Sequence, residues 1–97
     1  MISESEDGLS LAEANLSGAD MRGFNLRRAK LNRARLDAAR LDGADLSEST
    51  LINPIMERAS LRGATLDGLY SHALAVVSSD WSEVRMRGAL DSTGSLF

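Results

Sequence analysis

Leucine or methionine recurs at every fifth position along most of the chain, with a small residue two places before it. In the stretch LRRAKLNRARLDAARLDGADL, residues 26–46, five leucines are five residues apart and alanines precede the last four. Leucines with this spacing would be about 140° apart around an α-helix and would mark no single face of it. In a flat strand, an odd spacing would send them to opposite faces in turn. The pattern therefore favours neither a long helix nor a flat sheet.

The apolar positions alternate in steps of two and three residues. Ala29 and Leu31 are two apart, as on one face of a strand, whereas Leu31 and Ala34 are three apart, a step that needs a corner. Short straight segments that all turn the same way build a coil, and both apolar positions of each segment then face its axis. The sequence therefore predicts a β-solenoid with a narrow core made mainly of leucine and alanine.

This register extends from Leu11 to Leu96, and only Ser71 and Asp91 interrupt the position that leucine normally holds. The position two places earlier is small or apolar throughout. The large side chains predicted to fill the core are Leu16, Met21, Phe24, Leu26, Leu31, Leu36, Leu41, Leu46, Leu51, Met56, Leu61, Leu66, Val76, Trp81 and Met86.

Three stretches show the repeat most clearly: ANLSGADMRG, ARLDGADLSE and ASLRGATLDG. Their order of alanine, Asp or Asn, leucine, a polar residue and then glycine or a polar residue resembles the pentapeptide-repeat family, and the resemblance covers nearly the whole chain. It implies an all-β fold, a right-handed quadrilateral parallel β-helix in which four pentapeptides form one square coil. About four to five coils fit this length, at roughly 4.8 Å per coil.

The two ends are less regular than the middle. Residues 1–8 are polar and acidic, with Glu4, Glu6 and Asp7, and we expect a flexible N-terminal tail there. Residues 9–97 are expected to form the β-helix, with a less regular coil and cap from about residue 69. That part is either a distorted end closed by large residues such as Trp81, or a local departure from the coil as a short helix or loop around residues 69–78.

The charged residues suggest vertical neighbours and one basic surface. With twenty residues per coil, Asp20 would lie beside Arg40, and Arg22 beside Asp42. A basic belt around the second coil comprises Arg22, Arg27, Arg28, Lys30, Arg33, Arg35 and Arg40. It could bind an acidic partner or a phosphate backbone. The simpler interpretation is a solvated, partly neutralised surface, and direct nucleic-acid binding is not favoured because nucleic-acid binders usually align their charge and interleave aromatic side chains.

Apolar residues also occur at positions that should face outward in the C-terminal half. They are Ile52, Ile55, Tyr70, Val77, Leu90 and Phe97. A contiguous exposed apolar patch commonly marks an interface, and the simplest contact of this kind is a two-fold homodimer. The alternative is a locally rearranged C-terminus that buries these side chains itself.

Catalysis, cofactors and metals find little support in the sequence. The chain has no cysteine, which excludes disulfides and thiolate metal sites, and its acidic residues lack metal-binding spacing. His72 adjoins Ser71, but neighbours in a strand point in opposite directions and cannot act as base and nucleophile. The first ten residues lack both a basic region and an apolar run, so we expect neither a signal peptide nor a membrane span there. We therefore expect a cytoplasmic protein with no membrane contact, no cofactor and no catalytic residue.

Two functions remain open. The first is a rigid scaffold or protein-interaction module that self-associates through the apolar patch. The second is implied by the family resemblance, because some pentapeptide-repeat proteins mimic duplex DNA, bind type II topoisomerases such as DNA gyrase and protect against quinolone-like poisons. Such mimicry needs carboxylates along the rod, whereas the second coil here is basic and the rod is short.

Overall fold

The chain forms the right-handed quadrilateral parallel β-helix that the repeat predicts. The computed structural model describes residues 8–74 and 78–91. Isolated bridges such as Ser10 to Lys30 and Lys30 to Thr50 join residues twenty apart in parallel. Residues 9–28, 29–48 and 49–68 are therefore successive coils, residues 69–74 and 78–88 belong to a fourth, and a fifth begins at residue 89. In the described part, the longer strands are β1 (Thr50–Ile52), β2 (Tyr70–His72) and β3 (Leu90–Asp91), paired in the order β1-β2-β3.

Each coil has four faces, which we name by their central inward position. Face A is centred on Leu11, Leu31, Leu51, Ser71 and Asp91; face B on Leu16, Leu36 and Met56; face C on Met21, Leu41, Leu61 and Trp81; face D on Leu26, Leu46, Leu66 and Met86. The residues immediately before and after each central position point outward, so outward side chains twenty residues apart form columns along the rod.

Backbone hydrogen bonds hold the coils together and close their corners. The Leu31 N–H donates to the Thr50 carbonyl at 2.9 Å, and the Thr50 N–H donates back to the Ala29 carbonyl at 3.0 Å. At the corner, the Ala34 N–H donates to the Leu31 carbonyl at 3.1 Å. The residue before Ala34 is Arg33, with φ 58, and a positive φ at this place is the mark of a type II turn.

Face A departs from this pattern beyond the second coil. Pro54 stands where Ala34 stands one coil earlier, and proline has no N–H with which to close the corner onto the Leu51 carbonyl. The backbone of β1 is extended here, and β2 and β3 stack on it in register, with Tyr70 opposite both Thr50 and Leu90. Face A therefore carries the three-stranded sheet of the described chain.

The predicted core is confirmed over most of its length. Leu26, Leu31, Leu36, Leu41, Leu46, Leu51, Met56, Leu61 and Leu66 are at most 2% exposed, and Met21 is 5% exposed. Alanines at the companion position are equally buried, such as Ala34 and Ala44. Leu16, Trp81 and Met86 lie in the end coils and pack, partly buried, against this core. Val76 lies outside the described residues.

The prediction for Phe24 is wrong. Its side chain is 40% exposed, although the next two residues in its column, Ala44 and Ala64, are fully buried. The backbone of Phe24 keeps the register, since its N–H donates to the Met21 carbonyl. Phe24 lies in the first described coil, where other inward residues such as Ala14 and Ala19 are also only partly buried, so its ring stays accessible.

The fourth coil keeps the register on face A but reverses the sizes of its two inward residues. Ser71 occupies the leucine position and is fully buried, whereas Leu69 occupies the alanine position and is 1% exposed. The larger volume of Leu69 compensates for the smaller volume of Ser71, so the core of this coil stays filled. A short helix or loop is therefore not observed over residues 69–74, and residues 75–77 lie outside the described part.

Ser49→Ala is expected to raise the free energy of unfolding by about 1 kcal/mol, because the Ser49 hydroxyl is buried without a hydrogen-bond partner. Alanine already holds this column at Ala29 and Ala89. Urea denaturation measures the change. Ser60→Ala is the matched control, since the Ser60 hydroxyl donates to Asp42 and its loss should not stabilise the protein. A Ser49→Ala variant less stable than the wild type would contradict the expectation.

Candidate functional site

The outward columns follow the predicted register, but some ion pairs form along the strand instead of between coils. The backbone of Asp20 forms a parallel bridge with that of Arg40 in the next coil, as the register predicts. The guanidinium of Arg22, however, lies 2.8 Å from the carboxylate of Asp20, two residues earlier on the same face. Asp42, the expected neighbour of Arg22, instead accepts a hydrogen bond from the Arg62 backbone N–H at 3.2 Å.

Several cations of the basic belt are neutralised by nearby carboxylates. Arg27 on face D lies 3.3 Å from Asp45 and 3.7 Å from Glu48. Arg35 on face B lies 3.6 Å from Asp37. Together with the Arg22–Asp20 pair, these contacts support the interpretation of a partly neutralised surface for faces B, C and D.

The belt is different on face A. Lys30 and Arg33 are exposed and form no ion pair with any residue in the described ranges. The vertical neighbours of Lys30 are Ser10 and Thr50, which are uncharged. Arg40 on face C also lacks an ion pair among the described residues, but its vertical neighbour is Asp20. Arg28 lies at the corner between faces D and A, with φ 59.

Acid is expected to destabilise the rod because its aspartates are held in the charged form. Hydrogen bonds from Arg22 lower the pKa of Asp20 from 3.8 to about 2, a hydrogen bond from Arg85 lowers that of Asp67, and one from Ser82 lowers that of Asp80. Groups with a depressed pKa in the folded state stabilise it above their unfolded pKa. We expect Tm to be steady from about pH 7 to 5 and to fall between about pH 4 and 2.

Circular dichroism melts across this range measure the effect. Asp67→Asn removes one of the depressed carboxylates, so its Tm should fall less between neutral and acid pH than that of the wild type. A wild-type Tm that is unchanged down to about pH 2 would contradict the linkage.

A polar groove on face D lies between Arg27, Asp45, Thr65 and Arg85. Its charges are already paired, since Arg85 lies 2.7 Å from Asp67 and Arg27 contacts Asp45. Across the two described stretches of chain, no three His, Cys, Asp or Glu side chains are grouped so as to hold a metal ion. Nor does any helix of those stretches have the length and apolarity to cross a membrane. Ser71 is buried and His72 exposed, on opposite sides of β2.

Three of the predicted interface residues lie on face A. Tyr70 and Leu90 are opposite each other in β2 and β3 and are 44% and 37% exposed. Ile52, half-buried, lies in β1 at the neighbouring outward column. We call these three residues the apolar patch. The alternative, a rearranged C-terminus that buries these side chains, involves residues outside the described ranges and stays a prediction.

The other predicted interface residues are not part of this cluster. Ile55 is 47% exposed but lies around the corner on face B, in the same column as Arg35. Val77 and Phe97 lie outside the described residues. Phe24 is an exposed apolar residue that sequence reasoning missed, although an aromatic residue in an alanine position was a usable signal.

Comparison with known proteins agrees with this architecture. A family model described as pentapeptide repeats, with 8 copies, matches residues 10–47 and 29–68, more than half of the chain. The pentapeptide repeat protein alr5209 from Nostoc Pcc 7120 is similar in structure, with a TM-score of 0.81 and 20% sequence identity over 90% of this chain and 73% of that one. No curated protein matches the sequence.

A second similar structure is the pentapeptide repeat protein Rfr23 from the cyanobacterium Cyanothece 51142. Its TM-score is 0.56 at 22% identity, over 91% of this chain and 63% of that one, so this chain spans less than two thirds of its length. At these sequence identities, similarity to the two solved structures shows only a shared fold. The match to the family model, in contrast, comes from the amino-acid sequence. The chain belongs to the pentapeptide-repeat family.

Proposed function

We propose that the protein is a non-enzymatic interaction module, a rigid rod that binds a second copy of itself through the apolar patch on face A. The observation that carries this proposal is the exposure of Tyr70 and Leu90 on consecutive strands of a continuous sheet. A contiguous apolar surface of this kind is typical of interfaces, and tyrosine is among the residues that contribute most to binding energy there.

The shape of face A supports a two-fold contact. β1, β2 and β3 stack in register on this face, so Tyr70 and Leu90 stand in one column of outward side chains. A two-fold axis brings the same strip of two protomers together, so that a single patch supplies both halves of the interface. Faces C and D carry more charge and fewer exposed apolar side chains, and several of their arginines and aspartates pair with one another.

Light scattering over a concentration series tests the proposal. The wild type is expected to be a dimer, and Tyr70→Asp combined with Leu90→Asp is expected to be a monomer, because two charges would be buried at the contact. These positions are sharper probes than Ile52, which is half-buried in the rod itself. Asn15→Asp is the control, since it adds a charge on face B in the first coil and keeps the oxygen that accepts the Ser17 N–H. A wild type that stays monomeric at the highest concentration would refute self-association.

The charge pattern weighs against the alternative of a DNA mimic. Mimicry of a phosphate backbone needs free carboxylates along the rod, whereas Asp20, Asp45 and Asp67 are each paired with an arginine. A supercoiling assay with DNA gyrase separates the two functions. An interaction module of the proposed kind leaves supercoiling unchanged, whereas inhibition by the wild type would favour the mimic.

A further inference from the structure

Face A is basic towards one end of the rod and apolar towards the other. Lys30 and Arg33 lie in the second coil and have no ion pair among the residues that the structure describes. Tyr70 and Leu90, in the fourth and fifth coils, are exposed apolar side chains. A surface whose two ends differ can meet a second copy of itself in two directions. The direction decides which side chains touch.

The exposed apolar side chains also share one outward column. The residues before the central positions of face A stack in register as Ser10, Lys30, Thr50, Tyr70 and Leu90. The residues after those positions form a second column, about 7 Å to the side, which includes the half-buried Ile52 and the exposed His72. The two most exposed apolar side chains of the patch are therefore vertical neighbours in the column that also contains Lys30.

Parallel rods would bring mismatched groups together on this face. A two-fold axis along the rods places each coil against the same coil of the second copy. If the axis follows the first column, Lys30 faces Lys30 of the second copy across about 10 Å, the usual spacing of packed sheets, and this repulsion is screened little where water is excluded. If the axis runs between the columns, Tyr70 faces His72 of the second copy instead of an apolar side chain.

We propose that the two copies meet with their rods antiparallel, so that Tyr70 of each copy packs against Leu90 of the other. This inference rests on the proposed self-association through the apolar patch. A two-fold axis across the rods, midway between Tyr70 and Leu90, brings the two residues of each copy onto those of the other. Both halves of the contact are then apolar. Tyrosine contributes most to binding where its neighbours exclude water in this way.

The antiparallel arrangement also separates the basic ends of the two copies. Lys30 lies two coils before Tyr70, about 12 Å along the rod from the axis, so the two Lys30 side chains are about 24 Å apart along the rods. That distance is about three times the screening length of roughly 8 Å at physiological ionic strength. Lys30 therefore opposes the parallel arrangement and leaves the antiparallel one unaffected, which makes it a determinant of the direction of pairing.

Paramagnetic relaxation between two chains distinguishes the directions, because the protein has no natural cysteine to label by mistake. A chain with a nitroxide at Ser10→Cys is mixed with a ¹⁵N-labelled chain that carries no nitroxide. Antiparallel rods place the nitroxide about 14 Å along the rod from Leu90 of the other copy and about 29 Å from its Lys30. We expect the amide signal of Leu90 to broaden and that of Lys30 to stay sharp. A nitroxide at Arg62→Cys, on the opposite face C, is the control and should broaden neither.

A mixing experiment tests the direction without a nitroxide. When Lys30→Glu is mixed with ¹⁵N-labelled wild type, antiparallel rods keep the two altered positions apart, so native mass spectrometry should find mixed dimers in the statistical proportion.

The outcomes separate this orientation from self-association itself. An excess of mixed dimers, or broadening at Lys30 and not at Leu90, would mean parallel rods and would overturn the orientation while the dimer stands. A dimer in light scattering that shows no broadening on face A would contradict both the orientation and the use of this face. A monomer would refute the orientation together with the proposed function.

Discussion

Leu41→Ala is expected to lower the free energy of unfolding by about 2–5 kcal/mol, the usual range for a leucine deleted from a core. Leu41 is 1% exposed in the second coil, between Met21 and Leu61 of the same column. The cavity would be hard to close, because the backbone here is bonded on both sides. The Met21 N–H donates to the Arg40 carbonyl at 2.8 Å, and the Leu41 N–H donates to the Ser60 carbonyl at 2.6 Å.

Guanidinium denaturation measures this loss, and Arg40→Ala supplies the matched control. Arg40 is the residue immediately before Leu41 but points outward and forms no ion pair with another described residue. Its removal should change stability by no more than about 0.5 kcal/mol. Equal losses for the two variants would contradict the inward assignment of the leucine column.

Leu69→Ala is expected to cost about 2–4 kcal/mol, and adding Ser71→Leu should recover most of it. The wild-type coil combines a leucine in the alanine position with a serine in the leucine position, both fully buried. The double variant restores the sizes found one coil earlier at Ser49 and Leu51. Ser71→Leu alone should also destabilise, by about 1–3 kcal/mol, because it overfills the coil.

A double-mutant cycle on these two positions is the measurement. Independent sites would give additive losses, whereas two residues that share one volume should show a favourable coupling of about 1–3 kcal/mol in the double variant. Additive losses would mean that Leu69 and Ser71 do not compensate each other. Leu41→Ala with Ser71→Leu, which combines two different coils, is the control expected to be additive.

The fold could be predicted because the register alone decides which side chains face inward. Alternating steps of two and three residues are incompatible with a helix or a flat strand, and the buried columns from Leu26 to Leu66 follow that register without exception. The twenty-residue period also gave the correct vertical neighbours, such as Asp20 and Arg40.

Errors arose where size or side-chain reach decided the outcome. The register assigns Phe24 to an inward position, but this large ring lies in the end coil and is 40% exposed. Vertical distance suggested that Arg22 would meet Asp42, whereas Asp20 on the same strand is easier to reach. Both departures depend on volumes and rotamers that a pattern of apolar and polar letters does not record.

The sequence predicted which apolar residues are exposed at the candidate site better than it predicted the face on which each of them lies. Tyr70 and Leu90 were expected to be exposed together, and they are. The separation of Ile55 onto face B, and the unpaired state of Lys30 and Arg33 within the described chain, depend on where each corner falls and where each carboxylate points. Those details required coordinates.

The vertical period of twenty residues also governs which changes of length the rod tolerates. A duplication of twenty residues adds one complete coil, so every later side chain stays on the same face of the rod. An insertion of five residues between Asp67 and Arg85 keeps the leucines inside but turns everything after it by a quarter revolution, so that Arg85 would no longer stand near Asp67. A length variant of this protein can therefore keep its buried core and still lose the order of its outward columns.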